Sequence, residues 1–236
     1  NLRRALFNAI DAQKEIDTVW QNDNEPMTSF TAPGVAAADG TSFASKVGEL
    51  YAPSRDQEKA KEYLATALSE LGCTVDDLSA HLSIDCGDSP TAIAEASFYQ
   101  EQWRQVLGIE VAVNSMITKQ GSQNRKTGNY VMSITGWGPD YNDPNTFLDI
   151  WVTDGGNNQT GFSNERYDEL IDLAAKETDL EKRESYFIEC EQIIADQLPI
   201  GPSYWRAPSY ACSDKIKGGM HRSTFQDINA VYVKLS

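Results

Sequence analysis

The chain has 236 residues, 40% of them hydrophobic, and a formal net charge of -15. That apolar content supports a real core, in one large domain or two small ones, and excludes wholesale disorder. The acidity excludes nucleic acid, which needs clustered Lys and Arg, and adsorption to anionic lipid.

Residues 2 to about 20 carry Leu2, Leu6, Ala9, Ile10 and Gln13 at helical spacing. The opening Asn-Leu-Arg-Arg-Ala-Leu reads as the inside of a helix and is no signal peptide. The expectation is an excised domain whose parent carries the export signal. Residues 22 to 54 hold Asn, Pro, Gly, Ser and Thr without a sustained period, which predicts a long loop. From about Arg55 to Leu71 the stripe Ala60, Tyr63, Leu64, Ala67, Leu68 and Leu71 predicts a helix, ended by Gly72.

His81 to Asp85 alternates like a strand. Ser89-Pro90 then supplies a cap and a first-turn proline for a helix that buries Ala96, Tyr99, Trp103, Val106 and Leu107 and stops at Gly108. Ile109 to Val113 alternates as the next strand, 115 to 127 is a short helix or loop, and 130 to 135 is another strand. Two helices follow. One spans about Asn164 to Lys176; the other starts at the capping-box pattern Thr178-x-x-Glu181 and runs to about Gln197. Pro199, Pro202, Pro208 and Gly218-Gly219 punctuate short extended pieces, and Ala230 to Leu235 reads as a last strand. The alternation of strand and helix in the middle points to an α/β layer. No apolar run approaches the roughly 18 residues of a membrane span.

The most informative segment is Thr135-Gly-Trp-Gly-Pro-Asp-Tyr-Asn-Asp-Pro-Asn-Thr-Phe-Leu-Asp149. A strand approach runs into small and aromatic residues, then presents Asp140 and Asp143 before Pro144 opens a helix. Acid, a flat aromatic and close backbone approach at Gly138 suit a pocket for a charged amine. This stretch resembles the signature of the oligopeptide-binding proteins of ABC importers, the peptide/nickel type of solute-binding protein. Similarity extends along the chain: Arg4-Ala-Leu-Phe-Asn-Ala-Ile-Asp11, Glu58 to Gly72, Tyr99-x-x-x-Trp103 through Val111, and Leu198-Pro-Ile-Gly-Pro-Ser-Tyr204.

The resemblance implies an α/β, periplasmic-binding-protein-like lobe, a mixed sheet flanked by helices, over residues 1–236. It implies a binding protein without cofactor, not an enzyme, whose acidic loop residue Asp140 holds a peptide's α-amino group. Trp137, Gly138 and Tyr141 would complete the site, and Arg125 matches a basic position of one branch. Implied partners are a peptide, a membrane ABC permease and the N-terminal lobe of the same parent. The implied location is extracytoplasmic, with a lipid anchor in the parent. Ile134 stands where that branch has an arginine, and Pro139 removes one backbone donor. Other cargoes of the same fold are a dipeptide, a nickel chelate or haem.

The residues also carry plainer readings. Asp140 alone is an ordinary turn aspartate, and Asp143 before Pro144 is a helix cap. Trp137 is a core anchor or a pocket wall, and Arg125 a solvated charge. Asp140 and Asp143 imitate a glycosidase pair, which keeps a hydrolase as the alternative from another class. A calcium loop fails, because Trp151 stands where its bidentate Glu belongs. Cys73, Cys86, Cys190 and Cys212 allow three full pairings or buried thiols, with no CxxC for zinc. Cys73 and Cys86, which flank a short stretch, are the expected disulfide.

Overall fold

Glycine ends the two long helices that frame the sheet. Gly72 closes α4 (Gln57–Leu71) at φ 65°, and Gly108 closes α6 (Pro90–Leu107) at φ 68°, the left-handed region a side chain disfavours. The computed structural model describes residues 1–207, 213–217, 221–222, 228–229 and 234–235. Ahead of α4 come α1 (Leu2–Asn8), α2 (Ala12–Glu15), β1 (Glu25–Pro26) and α3 (Phe43–Val47). Next are α5 (Val75–Ser79) and β2 (Ser83–Gly87) before α6, then β3 (Ala112–Met116), α7 (Thr118–Thr127) and β4 (Met132–Ser133). The chain continues through α8 (Asn145–Leu148), a 3-10 turn at Asp149–Trp151, α9 (Glu165–Lys176) and α10 (Leu180–Gln197). Short strands follow: β5 (Tyr204–Trp205), β6 (Ile216–Lys217), β7 (His221–Arg222), β8 (Ile228–Asn229) and β9 (Lys234–Leu235).

The principal sheet has the order β3-β2-β4 and is parallel throughout. Among the described residues, antiparallel pairing occurs in the ribbons β1–β5, β6–β9 and β7–β8 and in an isolated bridge between Ala36 and Ser42. The α/β expectation holds. Parallel strands need crossovers, so α6 and α7 carry the chain back each time. Central β2 buries Ile84, Asp85 and Cys86 in succession, as a strand covered on both faces does. Its one charged residue, Asp85, accepts from the amides of Asn114 (3.2 Å) and Asn124 (3.1 Å).

Two apolar cores form. The first packs α1, α4, α5 and α6 against the sheet through Leu6, Leu64, Ile84, Trp103 and Ile109. The second joins α8, α9 and α10 through Leu148, Leu170, Phe187 and Ile194, and draws in Phe30, Val35 and Phe43 from residues 22–54. That stretch is therefore not simply a loop. It holds α3, and the Glu191 carboxylate receives the N–H groups of Phe30 (2.8 Å) and Thr31 (2.7 Å).

Several boundaries differ from the sequence expectation for local reasons. The first helix breaks because Asp11 accepts the Lys14 N–H (2.9 Å) and starts a new helix, which ends in a π turn at Ile16–Trp20. Asp179, not Thr178, caps α10 by accepting from Lys182 N–H. The third strand begins at Ala112, so Ile109 and Val111 are core residues of its approach. Residues 230–233 of the expected last strand, and also Pro208, Cys212 and Gly218-Gly219, lie outside the described residues. Cys73 and Cys86 are free thiols, contrary to the disulfide expectation. Cys73 follows the end of α4 and is half-buried, whereas Cys86 lies in the buried run of β2.

Buried polar groups join the pieces. Arg55, 8% exposed, donates to the carbonyls of Pro202 (2.8 Å) and Met27 (3.3 Å) and lies 4.5 Å from the Phe7 ring. Burial lowers its pKa to about 10, so it stays charged at neutral pH. Glu15 is fully buried and accepts from the hydroxyls of Tyr99 (2.8 Å) and Ser203. Glu95 accepts from Tyr204 (3.0 Å). Desolvation, helped by neighbouring Glu95, raises the Glu15 pKa from 4.5 to about 7 against the hydrogen bonds that lower it.

A raised carboxyl pKa stabilises the fold below pH 4.5, and that contribution is lost as pH rises through about 7. At about 1.4 kcal/mol per tenfold change in proton affinity, the gap corresponds to at most about 3.5 kcal/mol, of which about 2.5 kcal/mol falls between pH 5 and pH 8. Urea unfolding at pH 5 and pH 8 should show that much of the wild-type stability lost at the higher pH. Glu15→Gln should remove most of this dependence and be no less stable than wild type at pH 8. Equal pH slopes for the two proteins would contradict the assignment.

Candidate functional site

Parallel pairing brings the carboxyl ends of β2, β3 and β4 to one edge of the sheet, the usual place for a ligand crevice. The Ile134 N–H makes the last bond to β2, at Asp85 O (2.9 Å), and the chain then leaves the sheet. Between Thr135 and Pro139 the backbone makes no hydrogen bond among the described residues. Gly136 packs under the Arg206 guanidinium, which lies 3.8 Å from where a Cβ would be. The space over Gly138 is open, since a Cβ there would meet nothing within 4 Å.

Beyond Pro139 the loop is tied down at almost every polar side chain. Thr146, 2% exposed, is the local anchor. Its carbonyl accepts the Trp137 indole N–H (2.7 Å), and its hydroxyl accepts the Asp140 N–H (2.9 Å). Asn142 accepts from Ala36 N–H (2.9 Å), and Asn145 donates to the Tyr141 hydroxyl (2.8 Å) and to Asp149 (3.0 Å). Asp143 receives both prongs of Arg183, at 2.6 and 3.0 Å, and the Asn145 N–H at 2.9 Å. It is therefore not simply a helix cap. The capping position of the four-residue α8 falls on Pro144, and the Asp143 carboxylate closes a turn and an ion pair.

One carboxylate remains. Asp140 is exposed, and its side chain has no hydrogen-bond or ion-pair partner among the described residues. Trp137 and Tyr141 beside it are 40% and 42% exposed. Trp137 is thus not a core anchor: its ring is exposed and held by the indole hydrogen bond. Arg125 is not bonded to this loop; it donates to Gln159 (3.1 Å) and to Ser133 (3.3 Å) on β4. Two exposed apolar residues at the same edge escaped the sequence reading. Ile93 lies in the first turn of α6, and Ile117 directly follows β3. Ile93 falls off the buried stripe of its helix, which was the available signal.

These positions weigh against the acid-base and calcium readings. Asp143 is committed to Arg183 and Asn142 to Ala36, so the loop's oxygens diverge instead of converging on one point.

Comparison with known proteins gives one family. The bacterial extracellular solute-binding proteins, family 5, middle region, match residues 1–159. The oligopeptide-binding protein OppA of Bacillus subtilis is 31% identical over 92% of this chain and 39% of its own length. A dipeptide-binding protein of Lactococcus lactis is 30% identical over 99% of this chain and 43% of its own. Among solved structures, Listeria monocytogenes OppA bound to peptide superposes with a TM-score of 0.85 at 28% identity, covering all of this chain and 44% of that one. The chain thus spans about two fifths of the length of these relatives.

The two loop carboxylates should respond oppositely to neutralisation. Asp143→Asn leaves the half-buried Arg183 without its partner charge and should cost about 1–3 kcal/mol in urea unfolding. Asp140→Asn touches nothing and should stay within about 0.5 kcal/mol of wild type. Equal effects would mean that the loop's bonding pattern is different in solution.

Proposed function

Because this chain belongs to the bacterial extracellular solute-binding proteins of family 5, we propose that it is one ligand-enclosing lobe of a peptide-binding component of an ABC importer. In this reading residues 1–236 form a single lobe, and Asp140 binds the α-amino group of the peptide. The observation that carries the assignment is the contrast within the loop. Asn142, Asp143, Asn145 and Thr146 are all engaged, and the Asp140 carboxylate alone is exposed and unpartnered among the described residues.

Supporting features surround it. The unpaired backbone of Thr135 to Pro139 continues from edge strand β4 and offers donors and acceptors to an extended main chain. Main-chain pairing of this kind gives affinity with little side-chain preference. Open space over Gly138 allows close approach, and Trp137, Tyr141, Ile93 and Ile117 give apolar surface for ligand or a facing lobe to cover. The relatives that bind oligopeptides and dipeptides support peptide as the cargo class. A second lobe supplied by the same parent would close over the peptide, and the closed form would be what a membrane permease recognises. The proposed location is outside the cytoplasm, on a lipid anchor, with no turnover of the ligand.

Two outcomes test the reading. The 236-residue chain alone encloses only part of a ligand, so calorimetry should give a dissociation constant no tighter than roughly 0.1 mM; sub-micromolar binding would refute the two-lobe picture. In the two-lobed protein, Asp140→Asn should weaken free-amine peptides by roughly 30-fold or more, since the ammonium is left buried without its counter-charge. Acetylating the peptide amine should weaken wild-type binding similarly, and the two changes together should cost much less than their sum. If Asp140→Asn binds both peptides as wild type does, Asp140 is only a turn residue.

A further inference from the structure

We infer that Arg183 is a positioning residue for this site: it sets how strongly the acidic loop prefers a free amine over a blocked one. The inference rests on the reading that Asp140 holds the amine.

From Thr135 to Pro144 the loop has no helix or strand of its own. A loop of that length would have to be ordered by the ligand, at the expense of affinity, unless the protein orders it first. Three contacts could do so. Thr146 belongs to the four-residue α8, which follows directly from the loop. Asn142 reaches the backbone of Ala36 at an exposed position. Among the described residues, Arg183 is the side chain through which the eighteen-residue α10 holds the loop itself, and α10 packs on α8 and α9 through the second core.

All three nitrogens of the Arg183 guanidinium are engaged. The two terminal nitrogens take the two Asp143 oxygens at 2.6 and 3.0 Å, and Nε donates to the carbonyl of Ala174 (3.0 Å) in the last turn of α9. The group also lies 4.6 Å from the Phe187 ring centroid. A planar fork held at three points and stacked on a ring has one geometry. It therefore fixes Asp143, and with it the backbone three residues upstream at Asp140.

Arg183 also acts through charge. Without it, the loop would present two uncompensated carboxylates three residues apart, and a ligand ammonium could settle on either. With Asp143 paired, Asp140 is the only loop carboxylate left without a partner among the described residues. Position and charge thus converge on the same carboxylate. Supporting contacts of this kind decide whether a binding group is held closely enough to discriminate.

The test compares a free-amine tripeptide with its N-acetylated form, using the two-lobed protein as wild type and as Arg183→Met. Arg183→Met should weaken the free-amine peptide about 10-fold and the acetylated one less than about 3-fold, so that selectivity shrinks. Amide exchange at Asp140, whose N–H is held by Thr146, should accelerate in the variant. If both peptides weaken equally, or neither does while unfolding becomes easier, Arg183 only stabilises the fold and the inference fails. Should Arg183→Met not fold, Arg183→Lys keeps the charge but not the fork and should lose selectivity by about 3-fold; unchanged selectivity would again overturn the inference. A wild-type protein that binds both peptides equally would instead defeat the Asp140 reading itself.

Discussion

Strand β2 lies between two parallel neighbours, and that constraint organises the rest of the chain. A parallel strand cannot be reached by a tight turn, so each neighbour arrives through a crossover helix, and all three strands end at one edge. α6 begins at that edge, α7 follows β3 there, and the loop from β4 is delivered there too. Because β4 is an edge strand, the backbone that follows it is free to pair with something else. The location of the proposed binding edge is thus a consequence of strand direction, before any side chain is considered.

A second theme is the use of buried polar groups as ties between segments that lie far apart in the sequence. Glu191 reaches from α10 to the backbone of Phe30 and Thr31, 161 and 160 residues away in sequence. Arg55 gathers carbonyls from Met27 and Pro202, and Glu15 joins α2 to Tyr99 on α6 and to Ser203 ahead of β5. Each tie satisfies backbone or hydroxyl groups that burial would otherwise leave costly. The cost is visible in the raised pKa values of Glu15, Glu95 and Glu191, where desolvation is the leading cause. These ties hold β1, β5 and residues 22–54 against the two cores.

The acidic loop inverts that logic. Its polar groups are satisfied one by one, from α8, from α10 and from the segment around Ala36, until one carboxylate is left without a partner among the described residues. A loop with all its carboxylates paired would have no charge to offer, and one with none paired would have no fixed geometry. Pairing Asp143 while exposing Asp140 gives a held loop with one unpaired carboxylate among the described residues, the arrangement that the proposed amine site needs.

What the sequence determined by itself was everything that depends on a few neighbouring residues. The α4 and α6 stripes, the Ser89-Pro90 start and the Gly72 and Gly108 stops are written in spacings of three or four positions, and they formed where expected. The family was legible in the Trp137 to Pro144 segment for the same reason. The capping box at Thr74 and Asp77 was equally local, and α5 went unread only because its five residues carry too little period. Tertiary structure decided the rest. Asp140 and Asp143 look alike in sequence, and only the folding of α10 against the loop brings Arg183, forty residues away, to one of them. Cys73 and Cys86 are close in sequence, yet Cys73 follows α4 half-buried while Cys86 sits in the buried run of β2, and both thiols stay free. Residues 22–54 lack a period because they are held by single side chains, Phe30, Val35 and Phe43, dropped into a core built elsewhere. Local propensity reports what a segment prefers; which charges remain unpaired depends on which distant segments come to lie beside it.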